Sequence, residues 1–356
     1  MSPHLKLSIL DYSPVDEHLQ STDALAASVR LAQLAEQSGF QRFWVSEHHG
    51  AAATASNSPE ILMSRIASAT TRIRVGSGGV LLPNYSSLKI AENYQLLEAL
   101  FPGRIDLGFG RAPGADRRTS MALNDEKSGS IPYGQKVADL LGFVTGNHKA
   151  NSRYAGMRAQ PVTREAPHPF VLGASGATAE VAASAGLGFT FAHFINPRGD
   201  GPRAAAAYRD AFVPSDFGSE PSVVVAVFVA VGETAEQAEE YASAFHLWLA
   251  YAESANPLDR VPSLDTTRAH HWSAGELATR RRNEGRLIYG TADEVAAQLS
   301  ELAAAYQTDE VMINLMMPGE GARLNAVTSL ARSMLTRRSE CGSPLAGEGL
   351  KEGGHG

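Results

Sequence analysis

Short runs rich in Val, Ile, Phe and Leu recur along the chain. They alternate with alanine- and leucine-rich stretches whose apolar positions repeat at helical spacing. The runs at 5–10, 42–46, 73–80, 105–110, 169–173, 189–193, 223–231 and 310–315 predict β-strands. Between 23 and 38, Leu25, Val29, Ala32 and Ala35 mark one face of a helix that Thr22 or Asp23 caps and Gly39 stops. Strands and helices taking turns predict a parallel sheet with crossover helices, and eight strands suit a closed α/β barrel.

Two segments interrupt the alternation, 116–166 and 253–286. Both are too long for ordinary strand-to-helix connections, so they predict insertions covering the pocket. The glycine-rich stretch 339–356 predicts a disordered tail, which leaves 1–338 as a single domain.

Composition narrows the partners. The 356 residues are 44% hydrophobic, ample for a large core, and only 19% charged, with a net charge of -7. No lysine- or arginine-rich stripe is evident, so nucleic acid and anionic membrane surfaces are poor matches and a small-molecule substrate fits better. Cys341 is the single cysteine, which excludes an intramolecular disulfide and multi-cysteine metal or iron–sulfur sites and fits a reducing cytoplasm. The start MSPHLKLSIL lacks a targeting pattern, and no apolar run is long enough to cross a bilayer.

In an α/β barrel the chemistry sits where strands end. WVSEHHG (44–50) brings Glu47, His48 and His49 together at one such exit. Neighbouring side chains on an extended segment point to opposite faces, so one histidine enters the pocket and the other packs against structure. His48 is the expected catalytic residue, with its pKa tuned by burial beside Glu47. A structural pair, or metal ligation, is the rival reading, though no third ligand is evident. Gly76-Ser77-Gly78-Gly79 marks either a packing bulge or close approach of a flat ring. Arg111 can clamp a phosphate or simply pair with a carboxylate. The turn PFVLGASGATAE (169–180) offers backbone N–H groups and the hydroxyls of Ser175 and Thr178 to a phosphate, or is an ordinary serine cap. Arg280, Arg281 and Arg282 with His270 and His271 are either a solvated helix face or a lid over an anionic ligand.

WVSEHHG, VGSGGVLLPNYSSLKIAENYQLLEALFPGRIDLGFGRAPG (75–114) and VLGASGATAEVAASAGLGFTFAHF (171–194) together resemble the bacterial luciferase-like flavin monooxygenases, in particular their single-chain oxidoreductase subgroup. The resemblance spans roughly 5–335. It implies a TIM (β/α)8 barrel that binds reduced FMN and reacts with O2 through a flavin hydroperoxide. On this resemblance the active-site histidine falls on His48. A non-proline cis peptide beside the flavin falls on Gly78 and Gly79, and the phosphate site falls on Arg111, Ala174, Ser175 and Thr178. His193 stands where the luciferases have a tryptophan near the flavin.

Departures from the pattern matter. Gly110 replaces the luciferases' reactive cysteine, so light emission by that route is not implied. A second phosphate-contacting arginine is missing; Gln135 and Lys136 stand nearest. Leu10, Tyr12, Phe109 and Phe194 are the expected substrate-side residues. No NAD(P)H-binding domain is apparent, so a separate flavin reductase is the expected supplier of reduced FMN, and a homodimer is implied by resemblance. Rival readings are a deazaflavin oxidoreductase of the same fold, a non-catalytic flavin-binding protein and a metal-dependent hydrolase.

Overall fold

The computed structural model describes residues 5–111, 117–123, 131–149 and 151–341. Its strands are β1 (Lys6–Asp11), β2 (Arg42–Val45), β3 (Arg74–Ser77), β4 (Val80–Leu81), β5 (Ile105–Gly110), β6 (His168–Gly173), β7 (Gly188–Ala192), β8 (Val223–Gly232), β9 (Leu287–Thr291) and β10 (Glu310–Asn314). The sheet order is β10-β1-β2-β3-β5-β6-β7-β8-β9 with β4 beside β5, and a β10–β8 pairing closes it. The result is a TIM barrel whose staves are β1, β2, β3 continued by β4, β5, β6, β7, β8 and β10, with helices packed outside. All ten residues of β8 are buried, as expected of a parallel strand covered on both faces.

Two strand expectations need correction. The run 73–80 forms not one strand but β3 and β4, separated by Gly78 and Gly79, whose peptide is cis. The strand β9 was not expected. Its five residues, LIYGT, follow directly on the charged insertion, and only Leu287 and Gly290 are buried. It pairs with Phe228–Gly232, the part of β8 beyond the barrel closure at Val225–Phe228.

Side-chain alternation sorts the strands into two layers. Asp106 on β5 reaches across the barrel to Arg42 at 2.8 Å and Trp44 Nε1 at 2.9 Å, so Asp106, Gly108 and Gly110 face the interior. Phe109, expected on the substrate side, therefore points to the helix layer and is fully buried there. Close strand approach explains two glycines: a Cβ on Gly108 would run into the Ser77 carbonyl, and one on Gly76 would meet the Trp44 indole at 2.5 Å.

The second insertion lies across the loop leaving β1. Val261 bridges to Asp16, and Glu17 Oε2 accepts from Ser263 N at 2.9 Å and Thr266 Oγ1 at 2.7 Å. That loop is on the C-terminal face of the barrel. From the first insertion, the helix Tyr133–Thr145 packs on the helix Ser87–Leu100, where Gln95 donates to the Val144 carbonyl at 2.7 Å. The last helix, Glu320–Cys341, enters the segment expected to be a tail; 342–356 lie outside the described residues. Among the described residues no helix is long and apolar enough to cross a membrane.

Candidate active site

Beyond β2 the side chains keep a period of two. His48 Nδ1 lies 3.0 Å from Ser46 Oγ, and its ring centroid is 4.5 Å from that of Tyr12, at the exit of β1. His49 Nε2 lies 2.8 Å from Glu47 Oε1. Glu47 also accepts from Leu81 N–H at 2.9 Å and from the Tyr85 hydroxyl at 2.6 Å. The expected partnership of Glu47 with His48 is thus corrected: consecutive residues face apart, so the carboxylate pairs with His49. Glu47, His48 and His49 do not converge on a common point, which removes the support for a metal-dependent hydrolase.

Burial, followed by the nearby His49, pulls His48 down to about 4, so its imidazole is neutral at pH 7. If Nδ1 accepts the Ser46 proton, Nε2 carries hydrogen and donates; in the other tautomer Nε2 accepts. In either tautomer, no described residue hydrogen-bonds to Nε2.

Aromatic rings wall this mouth. Tyr12 and Phe194 approach Phe228 at centroid distances of 5.9 and 4.8 Å, with Trp248 behind it at 6.2 Å. Arg286 closes the rim, donating to the Phe194 carbonyl and to Glu253 Oε1 at 2.5 Å each. On the opposite side, a Cβ on Gly78 would strike Leu10, and one on Gly79 would sit 3.0 Å from the Gly108 carbonyl oxygen. A side chain at 79 would press on the neighbouring backbone and one at 78 would displace only the tip of Leu10, which lies beneath Gly78.

The pairing of Gly110 with Leu172 puts Arg111 beside the exit of β6. There Ala174 and Ser175 lead into the helix Gly176–Ala185. The Ser175 hydroxyl makes no cap bond to the helix; it lies 3.4 Å from Thr178 Oγ1. The helix start is exposed, and its first N–H groups are free of side-chain caps, an arrangement that suits an anion. His193 does not join this group. Its Nδ1 lies 3.0 Å from the hydroxyl of Tyr306, which also packs on Phe191, so both side chains face the helix layer. Phe194, one residue on, takes the interior position. Burial lowers the His193 pKa.

Other charged candidates are engaged elsewhere. Arg280 donates to Glu239 at 2.6 Å and Arg282 to Glu253 at 3.0 Å, so the arginine run is a solvated, ion-paired face. Gln135 bonds Asp139 at 2.7 Å, and Lys136 Nζ caps the carbonyls of Leu82, Pro83 and Tyr85 at 3.3, 3.1 and 2.6 Å. Ser46 and Tyr85 went unnoticed in the sequence. The alternation rule would have found Ser46, two residues before His48; nothing local flags Tyr85.

Residues 5–309 match the model of a family described as luciferase-like monooxygenase. The chain belongs to that family. Among luciferase-like monooxygenases and their relatives, it is 44% identical to YwcH of Bacillus subtilis over 87% of this chain and 93% of that one. It is 36% identical to the N-acetyl-S-alkylcysteine monooxygenase of the same organism, over 87% of this chain and 92% of that one. The crystal structure of apo-MsnO8 superposes with a TM-score of 0.86 at 34% identity, covering 94% of this chain and 99% of that one. The fold also matches the oxygenating constituent of 3,6-diketocamphane monooxygenase from Pseudomonas putida, solved with FMN. That likeness has a TM-score of 0.67 at 15% identity and covers 94% and 98% of the two chains.

Proposed function

We propose that this luciferase-like monooxygenase uses reduced FMN and O2 to insert one oxygen atom into a small organic substrate in the cytoplasm. The observation that carries the reading is the meeting, on one barrel face, of a neutral His48 with an open Nε2, Arg111 and an uncapped helix start. The residues fit the cofactor: Arg111, Ala174, Ser175 and Thr178 suit its phosphate, and the Gly78-Gly79 crossing flanks the space for its ring. Reduced FMN supplies the electrons with which one oxygen atom of O2 goes to substrate and the other to water. Tyr12, Phe194 and Phe228 exclude solvent from that reaction, and His48 Nε2 holds or passes a proton at the mouth.

All described strands belong to one sheet, so the reading assigns the supply of reduced FMN to a separate flavin reductase. It also includes a homodimer, for which Ile61, Leu96 and Leu100, exposed on the helices Pro59–Ala69 and Ser87–Leu100, offer an apolar face.

The test is an anaerobic titration with reduced FMN, then mixing with oxygenated buffer while flavin absorbance is followed. The expected result is saturable binding and slower flavin reoxidation than in free solution. If reduced FMN fails to bind and reduced deazaflavin binds instead, the monooxygenase reading is overturned.

A further inference from the structure

Tyr12 and His48 stand on two different loops, and those loops pair with each other. Pro14 bridges Thr54 in antiparallel fashion, with Val15 N donating to the Ala53 carbonyl and Ala55 N to the Ser13 carbonyl, both at 2.9 Å. His48 N donates to the Ser56 carbonyl at 3.1 Å, one residue past this ladder. The opposite edge takes up the second insertion. Val261 N donates to the Val15 carbonyl at 2.9 Å, and Glu17 N to the Val261 carbonyl at 3.0 Å.

So short a ladder is marginal on its own. An ion pair in the helix layer behind the mouth anchors it. The Asp16 carboxylate accepts from Arg323 Nη1 at 3.0 Å, from Arg323 Nη2 at 2.7 Å and from Gly319 N at 3.1 Å, while Nη1 also donates to the Met317 carbonyl at 2.9 Å. Both side chains are buried. Arg323 lies in the first turn of the helix Glu320–Cys341, and Met317 and Gly319 lie between β10 and that helix. A two-pronged guanidinium fixes direction as well as distance. Burial raises the Asp11 pKa, and Ser28 and then the Arg323 charge oppose that rise, so the same cation also acts on the residue preceding Tyr12. Neither Asp16 nor Arg323 hydrogen-bonds to the Tyr12 or His48 side chains.

We propose that Asp16 and Arg323 are positioning residues for the oxygenation: their buried ion pair locks the ladder that sets the Tyr12 ring against the His48 imidazole. The proposal rests on the role given to His48 above. Without the pair, backbone bonds alone hold the ladder, and the two rings open to water.

Removing Arg323 alone would strand a buried carboxylate. The test therefore removes both charges in the double variant Asp16→Leu with Arg323→Met, an exchange of ion pair for apolar side chains that folds commonly tolerate. Arg323→Lys, which keeps the charge but not the two-pronged geometry, is the conservative comparison. Each protein is read for thermal midpoint, for reoxidation of bound reduced FMN in oxygenated buffer, and for the His48 ring resonance between pH 7 and 5, assigned with His48→Gln. Burial, then the nearby His49, holds His48 at about 4 in the parent, so its resonance stays that of a neutral ring. The folded double variant is expected to bind reduced FMN within about twofold of the parent and to reoxidise it about tenfold faster, because water reaches the mouth. Its His48 moves towards the ordinary ~6.5 and takes up a proton in that pH range, with Arg323→Lys falling between the two. A pair that served stability alone would lower the midpoint and leave the His48 resonance and the reoxidation rate of the folded protein unchanged, which overturns the proposal. Should the double variant fail to fold, Arg323→Lys decides: a His48 shift towards protonation sustains the proposal, and none overturns it. A parent that binds no reduced FMN defeats the cofactor reading separately, and the His48 resonance, which needs no flavin, still decides this one.

Discussion

At the N-terminal end of the barrel interior, Asp106 receives Arg42 at 2.8 Å, Arg74 Nε at 2.8 Å and Trp44 Nε1 at 2.9 Å, while Glu310 receives Ser8 at 2.6 Å and Arg42 at 2.9 Å. At the C-terminal end, the Thr190 hydroxyl and the Asn314 amide on the interior faces of β7 and β10 are buried without partners. One barrel therefore holds a closed polar network at its floor and open donors at its mouth. Each charge at the floor finds its counterpart, so removing one is costly, whereas groups at the mouth are left available. The opposition agrees with the general division of labour between the two faces of such barrels.

Removing a floor charge breaks the comparison most severely. Asp106→Ala leaves Arg42 and Arg74 without their shared carboxylate and costs about 3–5 kcal/mol in denaturant unfolding. The folded fraction is still expected to bind reduced FMN; lost binding there would tie the floor to function. At the mouth, His48→Ala lowers the oxygenation rate by about 100-fold while reduced FMN affinity stays within about twofold. Equal turnover in variant and parent would remove His48 from the chemistry.

Acidification separates the ends less sharply. Burial holds His48 at the mouth and His168 at the floor at about 4 in the folded chain, and does the same to His246. Unfolded imidazole titrates near ~6.5, so between these values the unfolded state binds more protons. Stability is therefore lost as the pH falls from about 6.5 towards 4, by on the order of 1–2 kcal/mol per histidine at pH ~5. Chemical denaturation at pH 7 and 5 measures the loss, and His168→Gln should reduce it; a flat profile contradicts the buried, neutral assignments. The smallest effect has the opposite sign. Asn314→Leu removes an unpaired donor and should stabilise the ligand-free protein by about 1 kcal/mol. A destabilised variant would mean that the amide is already satisfied.

The staves of the barrel were legible because apolar runs such as the whole of β8 leave no other reading. The short strand β9 was not, since its five residues follow the charged insertion without a break and lie beyond the eight staves the barrel needs. At the mouth, the run EHH marked the place, and alternation separated the two histidines. The same alternation, applied to Glu47, already pointed to His49 rather than His48. On β7 the parity of Phe191 turns His193 outward to Tyr306, a fact that motif matching alone passes over.

Glu47 fastens the segment beyond the glycine crossing through Leu81 and Tyr85, and the next residue in the chain carries the mouth imidazole. A single peptide unit thus joins an anchor to a tool. The backbone that aims His48 is therefore held from its far side by Glu47. Replacements at Tyr85 or His49, neither of which bonds to the His48 ring, should appear as misalignment of a reaction rather than as loss of a fold.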